Sequence, residues 1–307
     1  MLRRYRAILP LALLLSALPA LNTAHAAGGV GDAFVTSDAS NIVRAYDKLT
    51  GAYLGNHSTG VLGTGQLAIH FGVTNGRVLV GSFGGGVDEY VAATGAYIKT
   101  YATTGGWQWA GLYGPNGNVY IGSFNTGDVR EYDVNTGALV GVLYNIPDPS
   151  DMNIGPNGNL YICQYQLGAV TEIDFAGNFV SQWFQPPNSR SQDIEFLPGG
   201  GFVVPVMGNN VAYRYNAAHT INGVYVGTGW QRPHGVDLNP LDGKLYIVDG
   251  VTMQVHVFDP LTMVELNPAW LVPDPGDKIV DIEFRQDQQI VPVLPRTWSQ
   301  IKRLGSQ

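Results

Sequence analysis

The sequence predicts an all-β protein: a six-bladed β-propeller of four-stranded antiparallel blades. The first observation is a recurring phrase, seen in Val43-Arg44-Ala45-Tyr46-Asp47 with Thr50-Gly51-Ala52, and again in Val129-Arg130-Glu131-Tyr132-Asp133 with Thr136-Gly137-Ala138. The turn positions Thr50, Thr94, Thr136, Ala176, Thr220 and Thr262 lie 44, 42, 40, 44 and 42 residues apart. Self-similarity at that period, with strand patterns inside each unit, marks a propeller. The second observation is turn chemistry. Gly makes up 40 of 307 residues without a triplet period, and Gly155-Pro156-Asn157-Gly158 and Asn135-Thr136-Gly137 supply the positive φ that tight hairpins require. The third is that the two ends of the repeat array complement each other.

The elements follow in order. Residues 1–26 read as a signal peptide: Arg3, Arg4 and Arg6 precede an apolar run from Ala7 to Leu18, and Ala24-His25-Ala26 supplies the small-x-small cleavage pattern. No cysteine follows the run, which argues against a lipid anchor, so a secreted or periplasmic protein is expected. Residues 27–294 form the propeller domain. Its N-terminal part, Ala33 to Gly55, holds only the second, third and fourth strands of a unit. Innermost strands are expected around Leu67–Phe71, Trp109–Tyr113, Asp151–Ile154, Gln192–Phe196, His234–Leu238 and Val280–Phe284. The last of these supplies the strand missing at the N-terminus and closes the ring, leaving no open sheet edge. A strand signal over 290–293 leaves open a partial extra unit or an irregular tail. Residues 295–307 form a C-terminal tail, with a short basic helix capped by Thr297 as one reading.

Composition narrows the partners. Removing the three leader arginines from 17 basic residues leaves 14 against 24 acidic ones, about −10 for the mature chain. That balance argues against nucleic acid, whose affinity rests on clustered Lys and Arg. No later segment reaches the roughly 18 apolar residues of a membrane span. The single cysteine, Cys163, sits in an apolar strand with no activating base beside it and reads as structural. About 280 residues bury a large core without cross-links, and a monomer is expected.

Chemistry is expected where loops from every blade converge on one face of the channel. Aligning the inner strands on their turns places Ala68, Ala110, Asp151, Asp193, Gly235 and Asp281 in one ring, with Leu67, Trp109, Ser150, Gln192, His234 and Val280 one step earlier. Three converging carboxylates repel one another unless protons or a cation intervene. No cofactor is required by the sequence, but Asp151, Asp193 and Asp281 suit Ca²⁺ or Mg²⁺, and adding His234 admits a transition metal. The opposing reading is that each Asp accepts backbone N–H bonds from its neighbours. Trp107, Trp109, Tyr144, Trp230, Phe83, Phe124 and Tyr165 fall at or beside loops; with Gln192 and Arg232 they suit stacking of sugar rings or peptide side chains, and filling gaps between blades is the alternative.

The phrase Arg232-Pro233-His234-Gly235-Val236-Asp237-Leu238, followed by Gly243-Lys244-Leu245-Tyr246-Ile247-Val248-Asp249, resembles that of the six-bladed propellers of the NHL-repeat and gluconolactonase-like superfamily. The resemblance implies the propeller fold for the whole mature chain. It also implies a metal-ligating role for the residue at His234, usually Asn in the lactonases, and a catalytic role for Asp249. Thr36-Ser37-Asp38 stands where those lactonases carry a ligating Glu. Three functions remain: a module binding a small molecule, glycan or protein at the channel face; a divalent-metal-dependent hydrolase of the gluconolactonase type; and a structural envelope component.

Overall fold

The computed structural model describes residues 28–59, 65–72, 74–102, 107–187, 189–271 and 277–286. The leader, the strand signal over 290–293 and the tail 295–307 lie outside them. Blade 1 begins with β1 (Ala33–Ser37), β2 (Ile42–Tyr46) and β3 (Tyr53–Thr59). Blade 2 contains β4 (Gln66–Phe71), β5 (Arg77–Ser82), β6 (Gly86–Val91) and β7 (Tyr97–Ala102). Blade 3 contains β8 (Gln108–Tyr113), β9 (Val119–Ser123), β10 (Asp128–Tyr132) and β11 (Leu139–Asn145). Blade 4 contains β12 (Pro149–Ile154), β13 (Leu160–Gln164), β14 (Ala169–Ile173) and β15 (Phe179–Phe184). Blade 5 contains β16 (Glu195–Phe196), β17 (Phe202–Val206), β18 (Val211–Tyr215) and β19 (Ile221–Tyr225). Blade 6 contains β20 (Pro233–Leu238), β21 (Leu245–Asp249), β22 (Gln254–Phe258) and β23 (Glu265–Leu271). The last strand, β24 (Ile279–Phe284), returns to blade 1, whose order is β24-β1-β2-β3. Ala33 faces Phe284 and Thr36 faces Asp281 across that closure.

The recurring phrase has a physical cause. Asp47 Oδ1 accepts the N–H of Leu49 and the N–H and hydroxyl of Thr50, and Asp133 treats Asn135 and Thr136 in the same way. Asp259 repeats the N–H pair with Leu261 and Thr262. The acid before each turn is therefore a local cap, and the following Gly51 and Gly137 take φ of 68° and 72°. The Tyr that precedes the turn, followed by Asp in two of the copies, points the other way, into the gap between blades: Tyr46, Tyr90, Tyr132 and Tyr215 are all at most 2% exposed. Burying one such ring contributes on the order of 2 kcal/mol.

Two expectations need correction. The Gln192–Phe196 strand is shortened to Glu195–Phe196 with an isolated Ser191–Val206 bridge. Gln192 N–H donates to Pro205 O at 3.2 Å, and Pro205 has no N–H to return. Ring closure also leaves edges: β3, β7, β11, β15, β19 and β23 each end a sheet with their outer side unpaired. These outer strands alternate exposed and half-buried residues, as in β11 and β15.

Candidate functional site

The inner strands all start at the same face, and most slip register as they start. The pairing shifts between Gln66 and Ile69 in β4, Gln108 and Ala110 in β8, Pro149 and Met152 in β12, and Pro233 and Val236 in β20. Such bulges re-aim side chains. Here they turn Leu67, Ala68, Trp109, Asp151, His234 and Gly235 into a shallow depression at the channel mouth. Gln192, Asp193, Val280 and Asp281 complete its wall. Ser150 turns away instead, donating its hydroxyl to Ser191 O at 2.8 Å. Gly235 is required by a close approach: a Cβ there would lie 2.6 Å from Asp281 Cα and 3.0 Å from Val280 O.

Asp151, Asp193 and Asp281 converge, each offering one oxygen within 4.8 Å of the others. They also stitch blades together. Asp281 accepts Ile282 N–H at 2.8 Å and, across to blade 2, Ile69 N–H at 2.9 Å. Asp193 accepts Ile194 N–H at 2.5 Å and, across to blade 6, Val236 N–H at 2.7 Å. Asp151 accepts only Met152 N–H, on Oδ1 at 2.7 Å, among the hydrogen bonds resolved for it from the backbone. Burial, then the charges of Asp193 and Asp281, hold Asp151 protonated well above the usual carboxylate range, and it hydrogen-bonds Asp193. Asp193 is pushed up to about 6 by burial, restrained by the Val236 N–H and the proton of Asp151. Asp281 is raised by burial and by Asp193.

The spacing and hardness of these three oxygens fit a divalent cation such as Ca²⁺. Asp151, Asp193 and Asp281 would hold it, with water completing the shell; His234 lies outside the set. Leu67, Ala68, Trp109 and Val280 give the rest of the wall a carbon surface.

A second, largely acidic tier, absent from the sequence-based site, lies two residues further along five of the six inner strands, His70, Asn153, Glu195, Asp237 and Glu283, with the buried Leu112 at the place in blade 3. Asp237 accepts Leu238 N–H at 2.7 Å and Phe284 N–H, in blade 1, at 2.6 Å. Glu283 accepts Phe71 N–H, in blade 2, at 3.0 Å. Asn153 donates to Ile194 O and Glu195 Oε2, both at 3.1 Å. Burial raises Asp237 to about 8, and raises Glu195 and Glu283 with the charge of Asp237 adding to each. His70 lies 3.8 Å from Glu283 and is held neutral by burial, at about 4. The signal for this tier is the period-2 alternation of a strand.

The expected binding residues divide. Trp109, in the wall, has its ring centroid 5.2 Å from Phe124, 5.3 Å from Tyr165 and 6.2 Å from Trp107. Phe83 adds to Trp107 at 5.1 Å, and the Arg190 guanidinium covers Tyr165 at 5.5 Å. A shelf of five rings thus spans blades 2 to 4 beside the well, with Trp107 41% exposed. Trp230 is elsewhere: 7% exposed, it packs on Phe258 and His256 between blades 5 and 6. Tyr144 likewise packs against a core cluster. Gln192 lines the well, is 4% exposed, and its Nε2 has no hydrogen-bond partner. His234 is held at about 3 by burial and by the Arg232 charge, so its imidazole is neutral; Arg232 itself is exposed. Asp249 is fully buried and accepts the N–H groups of Gln231, Val251 and Thr252 at 2.7, 2.8 and 3.1 Å. Those bonds give it a loop-anchoring job independent of any ligand.

Cys163 is buried, with its thiol donating to Asp193 O at 3.3 Å. Among the described residues no helix is long and apolar enough to cross a membrane.

No protein-family model matches the chain, and no curated protein matches it. Solved structures do. A propeller from a nidogen/laminin complex superposes with a TM-score of 0.70 at 14% identity, covering 83% of this chain and 99% of that one. Virginiamycin B lyase from Staphylococcus aureus gives 0.65 at 14% identity, covering 85% and 88%. A protein of unknown function from Bacteroides caccae gives 0.64 at 14% identity, covering 82% and 97%. Binding modules and lyases share this architecture, so the likeness concerns the fold. Six four-stranded sheets in a ring, closed by pairing the last strand with the first, make this chain a six-bladed β-propeller of the kind found in those proteins.

Proposed function

We propose that the protein is an exported binding propeller that takes up a small molecule, a glycan or a group on a protein at its channel mouth. The observation that carries this reading is the five-ring aromatic shelf opening onto an acidic well. Flat rings offer large contact area at little conformational entropy, and the well adds a few convergent polar groups, the usual make-up of a ligand site. Export rests on the leader pattern in residues 1–26. The test is tryptophan fluorescence of the purified mature protein against a panel of glycans and short peptides. Binding at the mouth gives a saturable change through Trp107 and Trp109; silence across the panel with an intact fold overturns the reading in favour of a structural role.

One observation favours the metal-dependent hydrolase instead, the convergence of three carboxylate oxygens within 4.8 Å of one another. Its test is metal content and thermal shift against Ca²⁺, Mg²⁺ and Zn²⁺, since an ion binding only the folded state must raise the melting temperature. No bound metal and no shift sinks it.

A further inference from the structure

We infer that the channel mouth recognises the free primary ammonium of an amino sugar, with the nitrogen among Asp151, Asp193 and Asp281, a neighbouring hydroxyl on Gln192 Nε2, and the pyranose face on Trp109. This deepens the binding reading proposed above and rests on it.

Four observations point to that ligand chemistry. An ammonium making three charge-assisted bonds of about 2.8 Å sets its acceptors about 4.6 Å apart, and the three carboxylate oxygens lie within 4.8 Å of one another. Asp193 and Asp281 each accept two backbone N–H groups and Asp151 one, so all three keep lone pairs for a further N–H donor, and an ammonium seated there takes the place of the proton between Asp151 and Asp193. The opposite side of the well is Leu67, Ala68, Val280 and Trp109; a hard divalent ion wants oxygen all round, whereas an organic ammonium gains from an aromatic face. Finally, Gln192 Nε2 is buried in the well without a partner. That amide is a donor, so it is repelled by a metal ion and calls for an acceptor on the ligand. A hydroxyl next to the amine supplies one.

A peptide N-terminus also pairs an ammonium with an acceptor oxygen. The shelf favours the sugar: its rings continue from Trp109 to the exposed Trp107 and Phe83, a path for further pyranose rings. The well is shallow and has room for a water-sized group, so it takes the ammonium itself while the sugar rings lie along the shelf.

The experiment is calorimetry of the mature protein with a glucosamine tetrasaccharide bearing free amines, with its fully N-acetylated counterpart, with a dipeptide of free N-terminus, and with Ca²⁺ alone. The free-amine sugar should bind about tenfold or more tighter than the acetylated one, the equivalent of one charge-assisted bond. Asp151→Asn should abolish that preference. It leaves the blade-to-blade bonds of Asp193 and Asp281 in place, and an unchanged melting profile confirms the fold. Gln192→Met, a second variant of similar volume, should weaken the free-amine sugar severalfold. Equal binding of both sugars, or a preference that survives Asp151→Asn, overturns the inference while leaving the binding reading intact. So does a dipeptide that binds as tightly as the sugar, or Ca²⁺ that displaces it. If none of these probes and none of the wider glycan and peptide panel binds, both fall together.

Discussion

Asp237 should cost this propeller stability as pH rises above about 6.5, and the size of that loss can be worked out. Its carboxyl is 7% exposed, receives Leu238 and Phe284 N–H, and faces Asp193, Glu195, Asp281 and Glu283. Burial places it at about 8 in the folded state against 3.8 ordinarily. Between those values the folded chain holds a proton that the unfolded chain has lost, so stability decreases with pH. The slope is about 1.4 kcal/mol per pH unit for one proton. Buried histidines act with the opposite sign. His57, His70 and His234 are all lowered from 6.5, so their contribution rises with pH, is still rising at about 6.5 and levels off at about 7.5. Comparison with Asp237→Asn cancels it, because both proteins carry the same histidines. From pH 6.5 to 8 Asp237 by itself takes away about 2 kcal/mol, or about 4 °C in melting temperature for a chain of this size. The assay is urea denaturation at closely spaced pH values in wild type and Asp237→Asn. The variant should lose at least one proton from the slope above pH 6.5, because relieving Glu195 and Glu283 of a like charge adds to the loss. A slope there that Asp237→Asn leaves unchanged refutes the reasoning.

Other perturbations have outcomes that differ in kind. Gly235→Ala drives a Cβ into Asp281 and should destabilise by about 1–3 kcal/mol as an overpacked site, while also removing ligand binding in fluorescence titrations. Trp107→Ala, at an exposed ring, should change stability by less than about 0.5 kcal/mol yet weaken binding measured by calorimetry. Asp249→Ala leaves three loop N–H groups without their acceptor, and should lower stability by about 3 kcal/mol or more in denaturant melts, at about 1–3 kcal/mol for each buried group that finds no water.

The scaffold was readable because its cause is local. The Asp-x-x-Thr turns close on themselves through Asp47, Asp133 and Asp259, so these copies leave the same signature wherever they sit. The upper ring followed by counting back from those turns to Asp151, Asp193 and Asp281. The second tier obeys the same alternation, yet Glu195, Asp237 and Glu283 look in sequence like solvated strand ends; only closure of the ring buries them. The two tryptophans that follow Gly106 and Gly229 show where sequence runs out. Trp107 turns out to the shelf, whereas Trp230 folds back onto Phe258, a choice made by the gap between blades 5 and 6. Asp249 is similar: a carboxylate at a strand end facing a ligand and one facing three N–H groups have the same sequence. The interruption of β16 was missed, although Pro205 in the partner strand, which removes the needed donor, was its signal.

The claim at the centre of this account is that the channel mouth binds a ligand. Its most direct test is a fluorescence titration of wild type and Trp109→Phe with the glycan and peptide panel, because Trp109 belongs to both the shelf and the wall of the well. A saturable change in wild type that weakens in Trp109→Phe is the predicted result. A response of equal size and midpoint in the two proteins, or none from any member of the panel, contradicts it.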